Sequence, residues 1–141
     1  IEVAENCWVK KTLPLLEFRC AEAMEADFPE SDAFIISDML HYLPEEQQFA
    51  LLEKCLSKLR PGGVILVREG NSSDVKGQKM TALSEVMSTR VFSFNKTSGK
   101  LHFTSASILR DYAERLGMDF SEVHKNRLSA NTLYQFKSTG L

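Results

Sequence analysis

No glycine occurs in the first 61 residues of this 141-residue chain; the first is Gly62, and the other six follow it. A loop that wraps closely around a nucleotide or phosphate needs glycine, because a Cβ would hold the backbone off the ligand. Residues 1–61 therefore contain no such loop. Cysteine is also sparse. Cys7, Cys20 and Cys55 are odd in number and far apart, unlike a disulfide framework or a zinc site. Three reduced thiols in a cytoplasmic protein are expected. The three histidines and the acidic residues show no ligand spacing either, so no metal site is expected. No apolar run approaches the roughly 20 residues that span a bilayer. The 17 basic residues are scattered and outweighed by 19 acidic ones, for a net charge of −2, which argues against a nucleic-acid footprint. What is present is a globular composition, 43% hydrophobic and 26% charged, and a length that sets one domain as the default.

Ile1, Val3, Ala4 and Trp8 recur at helical spacing, so residues 1–10 read as the end of an amphipathic helix that begins without a cap. Three β-type runs follow: Leu15–Cys20, Asp32–Ser37 and Val64–Arg68. The last two are continuously apolar, as strands buried in a parallel sheet are. Between them lies the clearest helix, Glu45 to Arg60, with Phe49, Leu52, Cys55, Leu56 and Leu59 as its stripe. Pro44 and the two glutamates after it suit a helix start, and Pro61-Gly62-Gly63 suits a stop. Strand, helix and strand in this space predict a βαβ unit.

Farther on, Ala82–Met87 reads as a short helix, and residues 91–103 as an aromatic hairpin or lid. Thr104 reads as the N-cap of a helix carrying Ile108, Leu109, Tyr112 and Leu116 and ending at Gly117. Met118–His124 and Thr132–Lys137 read as two strands whose short polar connection suits an antiparallel pair.

The segment Asp32-Ala33-Phe34-Ile35-Ile36-Ser37-Asp38-Met39-Leu40-His41-Tyr42-Leu43-Pro44, then the helix, then Leu59-Arg60-Pro61-Gly62-Gly63 and a strand, resembles a class I S-adenosylmethionine-dependent methyltransferase. The resemblance extends over nearly the whole chain. It implies an α/β, three-layer Rossmann-like fold with a mixed sheet and an antiparallel C-terminal hairpin. Leu15 to Ala23 is similar to the family's third strand and the acidic turn after it. The family's first strand, its Gly-x-Gly loop and its second strand have no counterpart before Leu15. Residues 1–141 are thus expected to be the C-terminal portion of such a domain, truncated at its N-terminus and inactive alone.

By the same resemblance, S-adenosylmethionine is the implied cofactor, with Glu22, Ala23, Ser37, Asp38 and Met39 beside it. Glu22 and Ala23 stand where the family contacts adenine; read simply as residues, they form an exposed turn. Asp38 either faces the cofactor or caps the helix that follows. His41 is the best-placed titratable group, able to take a proton from an acceptor atom, or else a packed histidine at a helix start, with catalysis left to alignment of the reactants. Tyr42, Arg68, Glu69, Arg90 and Asn95 are candidates for the acceptor pocket; of these, Arg90 and Asn95 fall in a lid that also carries Phe92, Phe94 and Lys96. Arg68 and Glu69 equally read as one exposed ion pair.

The function implied is methyl transfer to a small-molecule or lipid-like acceptor. Two alternatives stay open: a non-catalytic interaction module that keeps the fold without cofactor binding, and another Rossmann-like nucleotide binder. With no first strand beside it, the Ala33–Ser37 strand exposes an apolar edge, so a homodimer or element swap is expected.

Overall fold

The computed structural model describes residues 15–70, 102, 104–125 and 131–139. Four strands form one mixed sheet: β1 (Ser31–Ser37), β2 (Leu59–Gly70), β3 (Met118–Lys125) and β4 (Asn131–Ser138). A 3₁₀ turn (Leu40–Tyr42) and helix α1 (Glu45–Ser57) join β1 to β2, and helix α2 (Ala106–Arg115) precedes β3. The order across the sheet is β1-β2-β4-β3. β1 and β2 are parallel, as a helical crossover requires. β4 inserts between β2 and β3, antiparallel to both.

Alternation along the strands decides which side chains form the core. Ile65 and Val67 of β2 face Phe136 and Tyr134 of β4, and all four are buried. Leu51, Leu52 and Cys55 of α1 and Leu109, Tyr112 and Ala113 of α2 complete the same cluster. Burying each large aliphatic side chain contributes roughly 1.5–3 kcal/mol. Phe49 and Tyr112 meet edge-on at 5.5 Å, and the Tyr112 hydroxyl donates to Glu45 O at 3.3 Å, so the two helices lock together on this face. On the other face Ile35 is 73% exposed. Among the described residues no helix covers that face.

Several local expectations are corrected. Leu15–Cys20 is irregular, with Leu15 exposed; a β-type run forms a strand only where a neighbour takes up its N–H and C=O groups, and no described strand lies beside it. Helix α1 stops at Ser57 rather than Arg60, because Leu59 already pairs with Ser31 of β1 and the Arg60 side chain reaches Asp32. Its buried face is Gln48, Leu51, Leu52 and Cys55, while Phe49 and Leu56 are only partly covered. Ser105, not Thr104, caps α2 by accepting from Ile108 N–H at 3.3 Å. The readings at residues 1–10 and 82–87, and at 91–103 apart from His102, lie outside the described residues.

The Pro61-Gly62-Gly63 segment is a bulge. Ser31 pairs with Leu59 and Ala33 with Val64, so β2 carries extra residues there. Gly62 adopts φ +78°, and a Cβ on Gly63 would stand 2.7 Å from Asp32 O. Glycine is needed at both positions, for different reasons.

Cys55 has no route to solvent. Burial pushes its thiol up to about 11, whereas Cys20 is exposed. An alkylating reagent at pH 8 is expected to label Cys20 in the native protein and Cys55 only after unfolding, read by peptide mass spectrometry. The same shift has a sign for stability. An acid whose folded value is raised leaves stability intact below the unfolded value and erodes it above. Stability should therefore decline between about pH 9 and 11. Tyr112, raised to about 12 chiefly by burial, continues the decline.

Candidate active site

β1 ends at Ser37, and the next residue reverses the chain. Asp38 adopts φ +51°, a left-handed conformation that aspartate tolerates better than most residues. Its N–H still donates to Arg68 O at 2.9 Å, so the turn remains tied to β2. Its carboxylate pairs with the Arg68 guanidinium and takes the Ser37 hydroxyl at 3.1 Å. This cluster is about half exposed.

Arg68 and Glu69 are adjacent on β2 and therefore project from opposite faces. Glu69 is 1% exposed. Its Oε1 accepts the N–H groups of Met39 at 2.8 Å and Leu40 at 2.6 Å, and its Oε2 lies 2.8 Å from His41 Nδ1. One carboxylate thus meets three donors, the compensation a buried acid requires. It also caps the 3₁₀ turn, whose first N–H groups have no partner within the turn itself. Because the carboxylate accepts, Nδ1 carries the proton toward it, and Nε2 is the basic nitrogen of the neutral ring.

A second network holds the same turn from the other side. His41 O accepts His102 N–H at 2.8 Å. Buried Gln48 donates through Nε2 to Leu43 O at 3.0 Å and His102 O at 2.9 Å. The Tyr42 ring lies 4.1 Å from the His41 ring and is partly exposed.

A model of the O-methyltransferase domain family matches residues 1–105. The chain belongs to that family. A stretch of 58 residues is 36% identical to the carboxy-S-adenosyl-L-methionine synthase of Helicobacter hepaticus, over 41% of this chain and 24% of that protein. Human N-acetylserotonin methyltransferase, solved in complex with S-adenosylmethionine, is similar at TM-score 0.64 and 20% identity, over 93% of this chain and 37% of its own. An O-methyltransferase family protein of Burkholderia thailandensis gives TM-score 0.63 and 22% identity, over 94% and 38%. The chain spans well under half of each of these proteins. The structural likenesses show the Rossmann-like α/β methyltransferase fold.

Within this O-methyltransferase domain the fold gathers Ser37, Asp38, Met39, His41, Tyr42, Arg68 and Glu69 at the carboxyl ends of β1 and β2, where open α/β sheets form their ligand crevice. Asp38 does not cap the turn that follows; Glu69 does, since the left-handed turn commits the Asp38 carboxylate to Arg68. Nor do Arg68 and Glu69 pair with each other, because they leave the strand on opposite sides. Glu22 and Ala23 lie in a turn where Glu22 O accepts Glu25 N–H at 3.0 Å and Ala26 N–H at 2.8 Å. Arg90 and Asn95 lie outside the described residues. Gln48 and His102 were not singled out from sequence, although a glutamine on the apolar stripe of α1, in step with Leu52 and Cys55, was a visible signal. Among the described residues no group of acids, histidines and cysteines is arranged to hold a metal ion, and no helix is long and apolar enough to cross a membrane.

Proposed function

We propose that the protein carrying this chain transfers a methyl group from S-adenosylmethionine to the hydroxyl oxygen of a small-molecule acceptor. The observation that carries this reading is the His41 Nδ1–Glu69 contact at the carboxyl end of β1, in a chain of the O-methyltransferase family. The main-chain turn Ser37–Met39 fits the cofactor: it sits outside the strand ends, with Asp38 drawn aside by Arg68. S-adenosylmethionine, when bound, supplies an electrophilic methyl on its sulfonium. His41 Nε2 would take the proton from the acceptor hydroxyl as the oxygen–methyl bond forms and the methyl–sulfur bond breaks, its electron pair staying on sulfur as a thioether, and Glu69 would hold the ring so that this nitrogen is the basic one. Glu22 accepts from the adenine amino group, with Ala23 beside it. Tyr42, Arg68, Arg90 and Asn95 line the acceptor side.

A reducing compartment such as the cytoplasm suits the exposed Cys20 thiol. The edge of β1 left unpaired among the described residues supports pairing of two copies.

Titration calorimetry with S-adenosylmethionine tests the reading. The full-length protein is used, because residues 1–61 hold no glycine loop to grip the methionine part. One saturable site is expected. A folded full-length protein that takes up no S-adenosylmethionine overturns it in favour of a non-catalytic interaction module.

A further inference from the structure

Lys54, on the flank of α1, reaches away from the sheet core to the turn that follows Cys20. Its ammonium donates to Met24 O at 2.9 Å and Ala23 O at 3.2 Å, and stands 4.6 Å from the centroid of the Phe28 ring. Phe28 in turn packs on Phe34 of β1 at 5.7 Å. The preceding carbonyl, Glu22 O, is taken by Glu25 and Ala26 N–H. Three consecutive carbonyls are therefore consumed within the turn or by one lysine. Residues 15–30 carry no helix or strand; Ala23, Met24 and Phe28 pack against the core, and Lys54 holds the main chain between them through the Ala23 and Met24 carbonyls. Holding a flexible four-carbon side chain in one geometry costs conformational entropy, and a compact ammonium with three donors suits two adjacent carbonyls and a ring face better than a planar guanidinium.

We propose that Lys54 is a positioning residue for cofactor binding: it clamps the Glu22–Met24 turn in the shape that receives the adenosine part of S-adenosylmethionine. The proposal rests on the methyltransferase reading above and adds to it a residue on α1 that touches neither the cofactor nor the acceptor. It acts through the main chain of the turn, so its loss weakens every ligand that carries adenosine and leaves the His41–Glu69 geometry alone.

The test uses the full-length protein as wild type, Lys54→Met and Lys54→Arg. Methionine keeps much of the aliphatic stem against Phe28 while removing charge and donors. Each protein is titrated calorimetrically with S-adenosylmethionine and with 5′-methylthioadenosine, which keeps the adenosine part and lacks the amino-acid part. Lys54→Met is expected to bind both ligands about tenfold more weakly, by an equal factor, with its melting temperature little changed. Lys54→Arg is expected to recover part of the loss. A Lys54→Met protein that binds both ligands as wild type does, or loses affinity for S-adenosylmethionine alone, overturns the clamp. Wild type that binds neither ligand overturns the methyltransferase reading itself, and the two failures are thereby told apart.

Discussion

Glu69→Gln is expected to leave the protein folded while cutting methyl transfer by about 10²–10⁴-fold, the range a positioned general base contributes. The amide oxygen of glutamine can still accept from Met39 and Leu40, the two N–H groups that Oε1 takes. The other end of the amide then presents an NH₂ to His41 Nδ1, where Oε2 stood at 2.8 Å. Two donors cannot share that contact. The ring must switch tautomer, placing its proton on Nε2, where it can no longer accept one. Nitrogen–proton correlation spectra of the histidine side chains read this directly: protonated Nδ1 in the wild type, protonated Nε2 in the variant. An unchanged tautomer would sink the assignment. Glu69→Ala behaves differently. It leaves three donors facing a void in a buried site, a loss on the order of 3–5 kcal/mol. Against a total stability of roughly 5–15 kcal/mol this is a large fraction, and denaturant melts should separate the two variants clearly.

His41→Asn is the complementary change. An asparagine NH₂ takes the place of Nδ1–H toward Glu69, so the buried carboxylate keeps a donor and the turn keeps its cap. What disappears is the basic nitrogen. Methyl transfer, followed with a labelled methyl group, is expected to drop about 10²–10⁴-fold, while S-adenosylmethionine affinity stays within about twofold of wild type. A variant that retains the wild-type rate would mean that alignment of acceptor and methyl donor carries the reaction without His41.

These two residues also mark how far sequence reasoning reached. His41 was legible because it follows an apolar strand by a few residues and so falls at the strand's carboxyl end. Glu69 was legible only as a candidate pocket residue. Its three hydrogen bonds span 28 to 30 residues of sequence, and no local pattern encodes a pairing of that length. The same holds for His102, whose main chain meets His41 and Gln48 from far along the chain. Lys54 carries no local mark in the sequence. The Ala23 and Met24 carbonyls and the Phe28 ring, brought to its ammonium by the fold, distinguish it.

Conversely, the β1-α1-β2 unit, the C-terminal hairpin and the end of α2 at Gly117 were determined by the sequence alone. Apolar periodicity, turn residues and the left-handed tolerance of glycine act over a few residues, and each dictates structure before any distant segment arrives. The fate of Leu15–Cys20, the true buried face of α1 and the partners of Arg68 and Glu69 were decided by tertiary structure. A strand needs a neighbour, a helix face is buried only by what packs on it, and alternation on β2 separates Arg68 from Glu69 once both neighbouring strands are in register. Local propensity chose the elements; the contacts between them chose which side chain became the acid that orients His41.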